Sequence, residues 1–241
     1  MGITDKLRSF SPTRSFQRLV SWILERAGLK EIWEHQKLKG VPRHARNPMY
    51  CLGGVTLVAF IVQAMSGIFL ATYYVPSVDH AWDSIRYIEY NVPFGIIIRN
   101  VHRWTANIMV ITLILHLLRV YFTKAYRAPR ELNWMVGVFL FFMTVAVAFT
   151  GYILPWDQRA FWAATVGTNL ITAMGGIPLL GQLLEPLAGF LREVLIGGSV
   201  INPSTLTRFY AMHIGIIPLA IMILMLVHFY LVRKHGIAGP L

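Results

Sequence analysis

Charge is scarce in this chain, and acidic charge scarcest of all. Charged residues occupy 14% of the 241 positions and hydrophobic residues 56%, with a mean hydropathy of +0.55. That balance excludes an ordinary soluble domain. Cys51 is the only cysteine, which excludes an intrachain disulfide. Residues 1–48 lack an apolar core followed by a small-residue cleavage site, so no cleavable secretory signal is expected. Lys and Arg number 22 against 11 Asp and Glu, a net charge of +11. A surplus of that size suits nucleic acid, but its location decides otherwise. Ten of the cations precede Met49, and others cluster at Lys124, Arg127 and Arg130 and at Arg233 and Lys234, the pattern of loops on the cytoplasmic side of a membrane.

Four uninterrupted apolar runs, about 49–75, 101–120, 132–154 and 209–232, each suffice to cross roughly 30 Å of hydrocarbon. Runs of this length exclude strands and leave helices. The expected fold is all-α, a transmembrane four-helix bundle over 49–241 preceded by a basic segment over 1–48, with both termini on the cytoplasmic side. Loops 76–98 and 155–208 then face the opposite side. Within the basic segment Phe16, Leu19, Val20, Ile23 and Ala27 recur at helical spacing opposite Arg14, Arg18 and Arg26. This describes an amphipathic helix, lying either on an anionic membrane face or against a partner subunit. His35, His44, His80 and His235 fall in polar or loop positions and read as solvated.

The remaining four histidines are organised. His102 and His116 stand fourteen residues apart in the second run, and His213 and His228 fifteen apart in the fourth. Both spacings are near four helical turns, roughly 21–22 Å of rise, so each helix presents two imidazoles at two depths. Ionisable residues inside a membrane span mark function by default. Glycines repeat the interval: Gly53 and Gly67 in the first run, Gly137 and Gly151 in the third. Glycine in such helices marks close helix contact, or the approach of a flat ligand that a Cβ would block. With alternating helix direction, Gly67 and Gly151 share a depth with His102 and His213, and Gly53 and Gly137 with His116 and His228.

Two imidazoles and two bare backbone faces at one depth suit a haem held edge-on between four helices. A zinc site instead needs three or four clustered ligands. The expected metal ligands are therefore His102 with His213 and His116 with His228. Arg99, Arg103, Arg119, Arg130 and Arg233 near the helix ends either pair with haem propionates or serve as positive anchors. Pro155 ends the third run and Pro218 kinks the fourth. Residues 174–198 read as short interfacial helices or a re-entrant segment.

Several motifs then carry a resemblance over nearly everything after residue 40. YCLGG at 50–54, IRNVHRW at 98–104, HLLRVY at 116–121, PREL at 129–132, TGYILPWDQ at 150–158, STLTRFYAMH at 204–213 and the final HFYLVRKHGIAGPL resemble cytochrome b6 and the N-terminal half of the cytochrome b of bc-type complexes. The resemblance implies a low-potential haem b at His102 and His213 on the outer side and a high-potential haem b at His116 and His228 on the inner side. It implies a third haem, of c type, attached through Cys51, and a quinol pocket lined by Phe149, Tyr152, Ala163, Val166 and Gly167. The implied partners are a subunit carrying the C-terminal half of cytochrome b, a Rieske iron-sulfur protein and a c-type cytochrome, in a dimeric complex that uses quinol and quinone. The family's Pro-Glu-Trp-Tyr motif is missing and is expected on the separate subunit. FWAATVGTNL, the longer N-terminus and the residues around 175–198 favour a bacterial inner membrane over a thylakoid-type one. Two rivals stand beside this reading. One is a dihaem membrane anchor of a dehydrogenase or hydrogenase; the other, a haem-free proton-coupled transporter, predicts inverted-repeat symmetry that is not seen.

Overall fold

The computed structural model describes residues 12–26, 40, 42–176 and 181–239. They fall into two compact units meeting between Arg46 and Asn47. The first contains helix α1, Pro12–Arg26, and a short 3-10 turn, Arg43–Arg46. On α1, Phe16, Leu19, Trp22 and Ile23 are exposed along one side, and the Arg26 guanidinium lies 5.9 Å from the centre of the Trp22 ring. Ala27 and His35 lie outside the described residues, as do the side chains of Arg14 and His44.

The second unit is built of helices joined by turns and loops, with no strand among its described residues: α2 Pro48–Ala71, α3 Ala81–Tyr90, α4 Gly95–Phe122, α5 Glu131–Ile153, α6 Gln158–Thr172, α7 Gly181–Ile196, α8 Pro203–Ala211 and α9 Ile217–His235. The starts follow from local chemistry. Asn47 caps α2 by accepting from the Met49 amide at 2.9 Å, with Pro48 in the first turn where its missing N–H costs nothing. Asp157 caps α6 through the Ala160 amide at 2.8 Å. Asn202 and Thr205 form a capping box for α8, again followed by proline.

Four helices are long and apolar enough to cross a membrane: α2, α4, α5 and the continuous α8–α9 run, Pro203–His235. The first ends at Ala71, short of the residue 75 expected from hydropathy, and the second begins six residues early at Gly95. Helix α2 packs along α4, and α5 along α9. Val136 and Leu140 of α5 bury against Ile217, Ile221 and Leu231 of α9. At the other end of α5, Ile153 meets Ala164 of α6 and Phe209 of α8. Outward faces of the spans carry exposed Val58, Met65, Ile68, Ile111, Phe142 and Leu226, a composition that suits lipid.

Helices α3, α6 and α7 cover one end of the bundle. Within the stretch expected as short interfacial helices or a re-entrant segment, residues 181–196 form the sixteen-residue α7, tied to α8 by the Thr205 hydroxyl donating to the Ile196 carbonyl at 2.6 Å and by Arg208 donating to the Val194 carbonyl. At this end the Tyr74 hydroxyl, just past α2, donates to the Leu154 carbonyl at 2.6 Å and its ring lies 5.4 Å from that of Tyr210. Burial, then the neighbouring Tyr210, raise the Tyr74 pKa, so the hydroxyl keeps its proton for this bond. Between α8 and α9, just ahead of the proline expected to kink this span, the helix widens. Residues Met212–Ile216 make a π turn, with the Ile217 amide donating to the Met212 carbonyl. Pro218 follows at once and brings no N–H to the Ile214 carbonyl one α-turn behind it.

Candidate functional site

His102 of α4 and His213 of the π turn face each other across the bundle. Their ring centres are 6.2 Å apart and the planes cross at 75°. A metal ion bound by both Nε2 atoms at about 2.0 Å, with roughly 1.1 Å from nitrogen to ring centre, puts two imidazoles about 6 Å apart. The other ring nitrogens are engaged by the scaffold. His102 Nδ1 lies 2.9 Å from Ser66 Oγ, and that hydroxyl spends its hydrogen on the Val62 carbonyl at 2.6 Å. The Ser66 oxygen is therefore the acceptor, and His102 Nδ1 the donor. His213 Nδ1 donates to the Val147 carbonyl at 2.9 Å, with Thr150 Oγ1 3.3 Å away. With Nδ1 protonated in both rings, each Nε2 keeps a lone pair, the state in which histidine ligates metal. Gln63 adds a further clamp on α4, donating to the His102 carbonyl at 2.5 Å.

The second layer is built differently. His116 of α4 and His228 of α9 line a cavity of about 280 Å³ together with Gly53, Gly137, Arg119 and Asn133. Four buried polar atoms converge there without hydrogen-bond partners: His116 Nδ1, Arg119 Nε, Asn133 Oδ1 and His228 Nδ1. The last faces the Asn133 backbone without completing a bond. One unpartnered buried group costs about 1–3 kcal/mol, so four around one cavity mark a site shaped for a bulky, mainly apolar group with polar substituents. Arg130, also lining the cavity, donates to the Gly236 and His235 carbonyls at 3.3 and 3.4 Å. Arg119 stacks over Tyr50 with its guanidinium carbon 4.4 Å from the ring centre.

Each of the four regularly spaced glycines lies against one histidine. A Cβ at Gly67 would stand 3.3 Å from His102 Cε1, at Gly53 3.1 Å from His116 Cε1, at Gly137 3.5 Å from His228 Cε1, and at Gly151 2.9 Å from His213 Nδ1. Gly67 and Gly151 thus belong with the His102 layer, Gly53 and Gly137 with the His116 layer. The π turn accounts for the unequal histidine spacing. At about 100° per residue, fourteen residues fall roughly 40° short of four turns and fifteen overshoot by about 60°. A wide turn between His213 and His228 absorbs one residue, so both histidines face the pair on α4.

The other expected site residues scatter. Arg99 is ion-paired with Glu89, and Arg103 and Arg233 are exposed; of the five arginines only Arg119 and Arg130 line the cavity. Cys51 is exposed, its Sγ 3.8 Å from the Asn47 carbonyl, in a surface groove with Tyr50, Gly54, Val55 and Val58. Phe149 and Gly167 are brought together, since a Cβ at 167 would stand 2.8 Å from Phe149 Cε2. The Phe149 ring also packs 6.0 Å from Phe209. Tyr152 and Val166 are exposed and Ala163 half-buried.

Sequence reasoning missed Ser66, Thr150, Gln63 and Asn133. A signal for the first two existed: each is a hydroxyl residue directly before a layer glycine, whereas Leu52 and Val136 precede the glycines of the other layer.

Comparison with known proteins places the chain in a family. The family model described as Cytochrome b/b6/petB matches residues 39–236. The chain is 44% identical over 220 residues to proteins named cytochrome b6 from Prochlorococcus marinus strains MIT 9515 and NATL1A, covering 91% of this chain and 96% of each of theirs. A solved structure described as a hyperthermophilic respiratory complex III superposes with a TM-score of 0.79 at 35% identity. The match covers 92% of this chain but only 56% of that one. Four membrane-length apolar helices in this arrangement make the chain a multi-pass membrane protein, and it belongs to the cytochrome b/b6 family.

Proposed function

We propose that the chain is the cytochrome b subunit of a quinol-oxidising Rieske/cytochrome b complex, carrying electrons from a quinol at one membrane face toward a quinone at the other and so coupling the reaction to proton translocation. The observation that carries this reading is the His102–His213 pair, 6.2 Å between ring centres, with both Nδ1 atoms held by scaffold acceptors. Haem b, bound at the two layers, supplies one-electron redox chemistry at two depths. His102 and His213 hold the outer one and His116 and His228 the inner one. The four glycines let α2 and α5 approach closely enough to set the imidazoles. Arg119 and Asn133, whose unpartnered atoms converge there, receive the polar substituents at the inner layer, with Arg130 also on the cavity wall.

Further parts of the reading rest on the family resemblance. Cys51, two residues from Gly53 and exposed, anchors a third haem through one thioether bond. Phe149 and Gly167, in contact at the α5–α6 junction, form one wall of the quinol pocket, with Tyr152, Ala163 and Val166 near its mouth. The basic ends of the bundle face the cytoplasm of a bacterial cell; α1, taken by itself, suits an anionic membrane surface, with Phe16, Leu19 and Ile23 in lipid and Arg18 and Arg26 at the headgroups. The C-terminal half of cytochrome b, a Rieske protein and a c-type cytochrome complete a dimeric complex.

A pyridine haemochrome spectrum of the purified chain, before and after acid-acetone extraction, with haem staining on a denaturing gel, tests the reading. Two extractable b haems and one retained haem are expected. Two extractable haems with none retained would keep the electron-transfer role and remove that of Cys51. A folded preparation without haem would overturn the assignment. His102→Ala should lose the outer haem alone; equal loss of both would count against separate layers.

A further inference from the structure

We propose that Ser66 is a positioning residue that sets the reduction potential at the His102 layer, acting through the hydrogen bond it accepts from the axial imidazole. The proposal rests on the haem reading of that layer. Ser66 is buried, 7% exposed, one turn of α2 beyond Val62 and beside Gly67. Its hydroxyl hydrogen is committed to backbone carbonyls, Val62 at 2.6 Å and Gln63 at 3.2 Å. Toward His102 Nδ1, 2.9 Å away, only its lone pairs remain. A hydroxyl that donates to a carbonyl is a better acceptor than a free one, because the chain of hydrogen bonds polarises in one direction. The imidazole N–H is drawn toward Ser66, electron density moves toward Nε2, and the ring becomes a stronger donor to the metal. Stronger donation favours the oxidised iron, so the potential falls.

Among the described residues one other acceptor faces the His102 ring, the Gln63 backbone carbonyl, and it is shared with the Ser66 hydroxyl 3.2 Å away. The Gln63 side chain engages only the backbone carbonyl of His102, and the nearest contact at Gly67 is with Cε1. The His116 layer supplies an internal reference, since no hydroxyl is bonded to either Nδ1 there. The same contrast appears in the residue preceding each layer glycine: Ser66 and Thr150 on one side, Leu52 and Val136 on the other.

The test uses the intact complex in native membranes, with redox titration of the two haem b absorbances. The outer haem is identified as the one lost in His102→Ala. Ser66→Ala removes the acceptor, Ser66→Val removes it at the size of threonine, and Ser66→Thr restores a hydroxyl at that size. The alanine and valine variants should shift the outer haem toward the reduced form at fixed ambient potential, with about fivefold in the reduced-to-oxidised ratio as the ceiling, the factor for losing the whole of one net hydrogen bond in the oxidised state alone. The inner haem should not move, and the threonine variant should titrate as wild type. If threonine is too large for the site, alanine alone decides. Unchanged titration of the alanine variant, or equal movement of both haems, overturns the proposal while leaving the haem assignment standing. Wild-type membranes with no titrating haem at all would overturn that assignment and the proposal with it.

Discussion

Alanine substitutions at the four layer glycines should damage the protein in a definite order, because the clearance at each position differs. At Gly151 the new Cβ would stand 2.9 Å from His213 Nδ1 and 3.1 Å from Nε2. The ring cannot swing aside, since its Nδ1 is bonded to the Val147 carbonyl at 2.9 Å. Helix α5 must therefore move away from α8–α9, and overpacking of this kind costs about 1–3 kcal/mol. At Gly53 and Gly67 the nearest ring atom is 3.1 and 3.3 Å away, so a few tenths of an ångström of adjustment suffice. At Gly137 the distance is 3.5 Å, an ordinary van der Waals contact. There the helix preference of alanine over glycine, about 0.8–1 kcal/mol, leaves the substitution neutral or mildly stabilising. Single variants expressed in membranes and assayed for haem per polypeptide, and for loss of the haem absorbance on heating, should rank Gly151→Ala worst, Gly53→Ala and Gly67→Ala intermediate and Gly137→Ala mildest. Equal damage from Gly137→Ala and Gly151→Ala would refute the reasoning. It would mean that the glycines are needed for clearance to the bound group and not to the imidazoles.

Three other outcomes follow from the same geometry. Deleting Gly215 from the π turn should convert it to a regular α-helix, bring the histidines of the fourth span to the spacing seen in the second and retain both haems; deleting one residue between His102 and His116 should lose at least one, as haem content will show. Tyr74→Phe removes the bond to the Leu154 carbonyl and should lower stability by about 1 kcal/mol, read as earlier thermal loss of haem absorbance with the spectrum at low temperature unchanged. Asn133→Leu replaces a buried unpartnered acceptor with an apolar side chain, so the haem-free protein should be no less stable to denaturant while the inner haem is retained less well.

Much of this molecule is written locally. Four apolar runs, the caps at Asn47, Asp157 and Asn202, and two pairs of histidines near four turns apart depend only on helix geometry and on the cost of exposing backbone to lipid. Those terms act within a segment, so a single chain read in order determines the span count, the helical class and the two-depth pattern. Other features arise only between segments. Arg99 was one of five cations at helix ends until α3 placed Glu89 beside it. The fifteen-residue spacing looked equivalent to fourteen until the backbone showed a π turn ahead of Pro218. Periodicity likewise could not tell which imidazole nitrogen is held, because Ser66 and Val147 reach His102 and His213 across helix interfaces. Hydropathy and spacing are sums along the chain, whereas hydrogen-bond satisfaction and ångström-scale clearance are properties of packed surfaces. The sequence by itself determined that two histidine layers exist; tertiary structure alone decided that one is locked by hydrogen bonds and the other left open around a cavity.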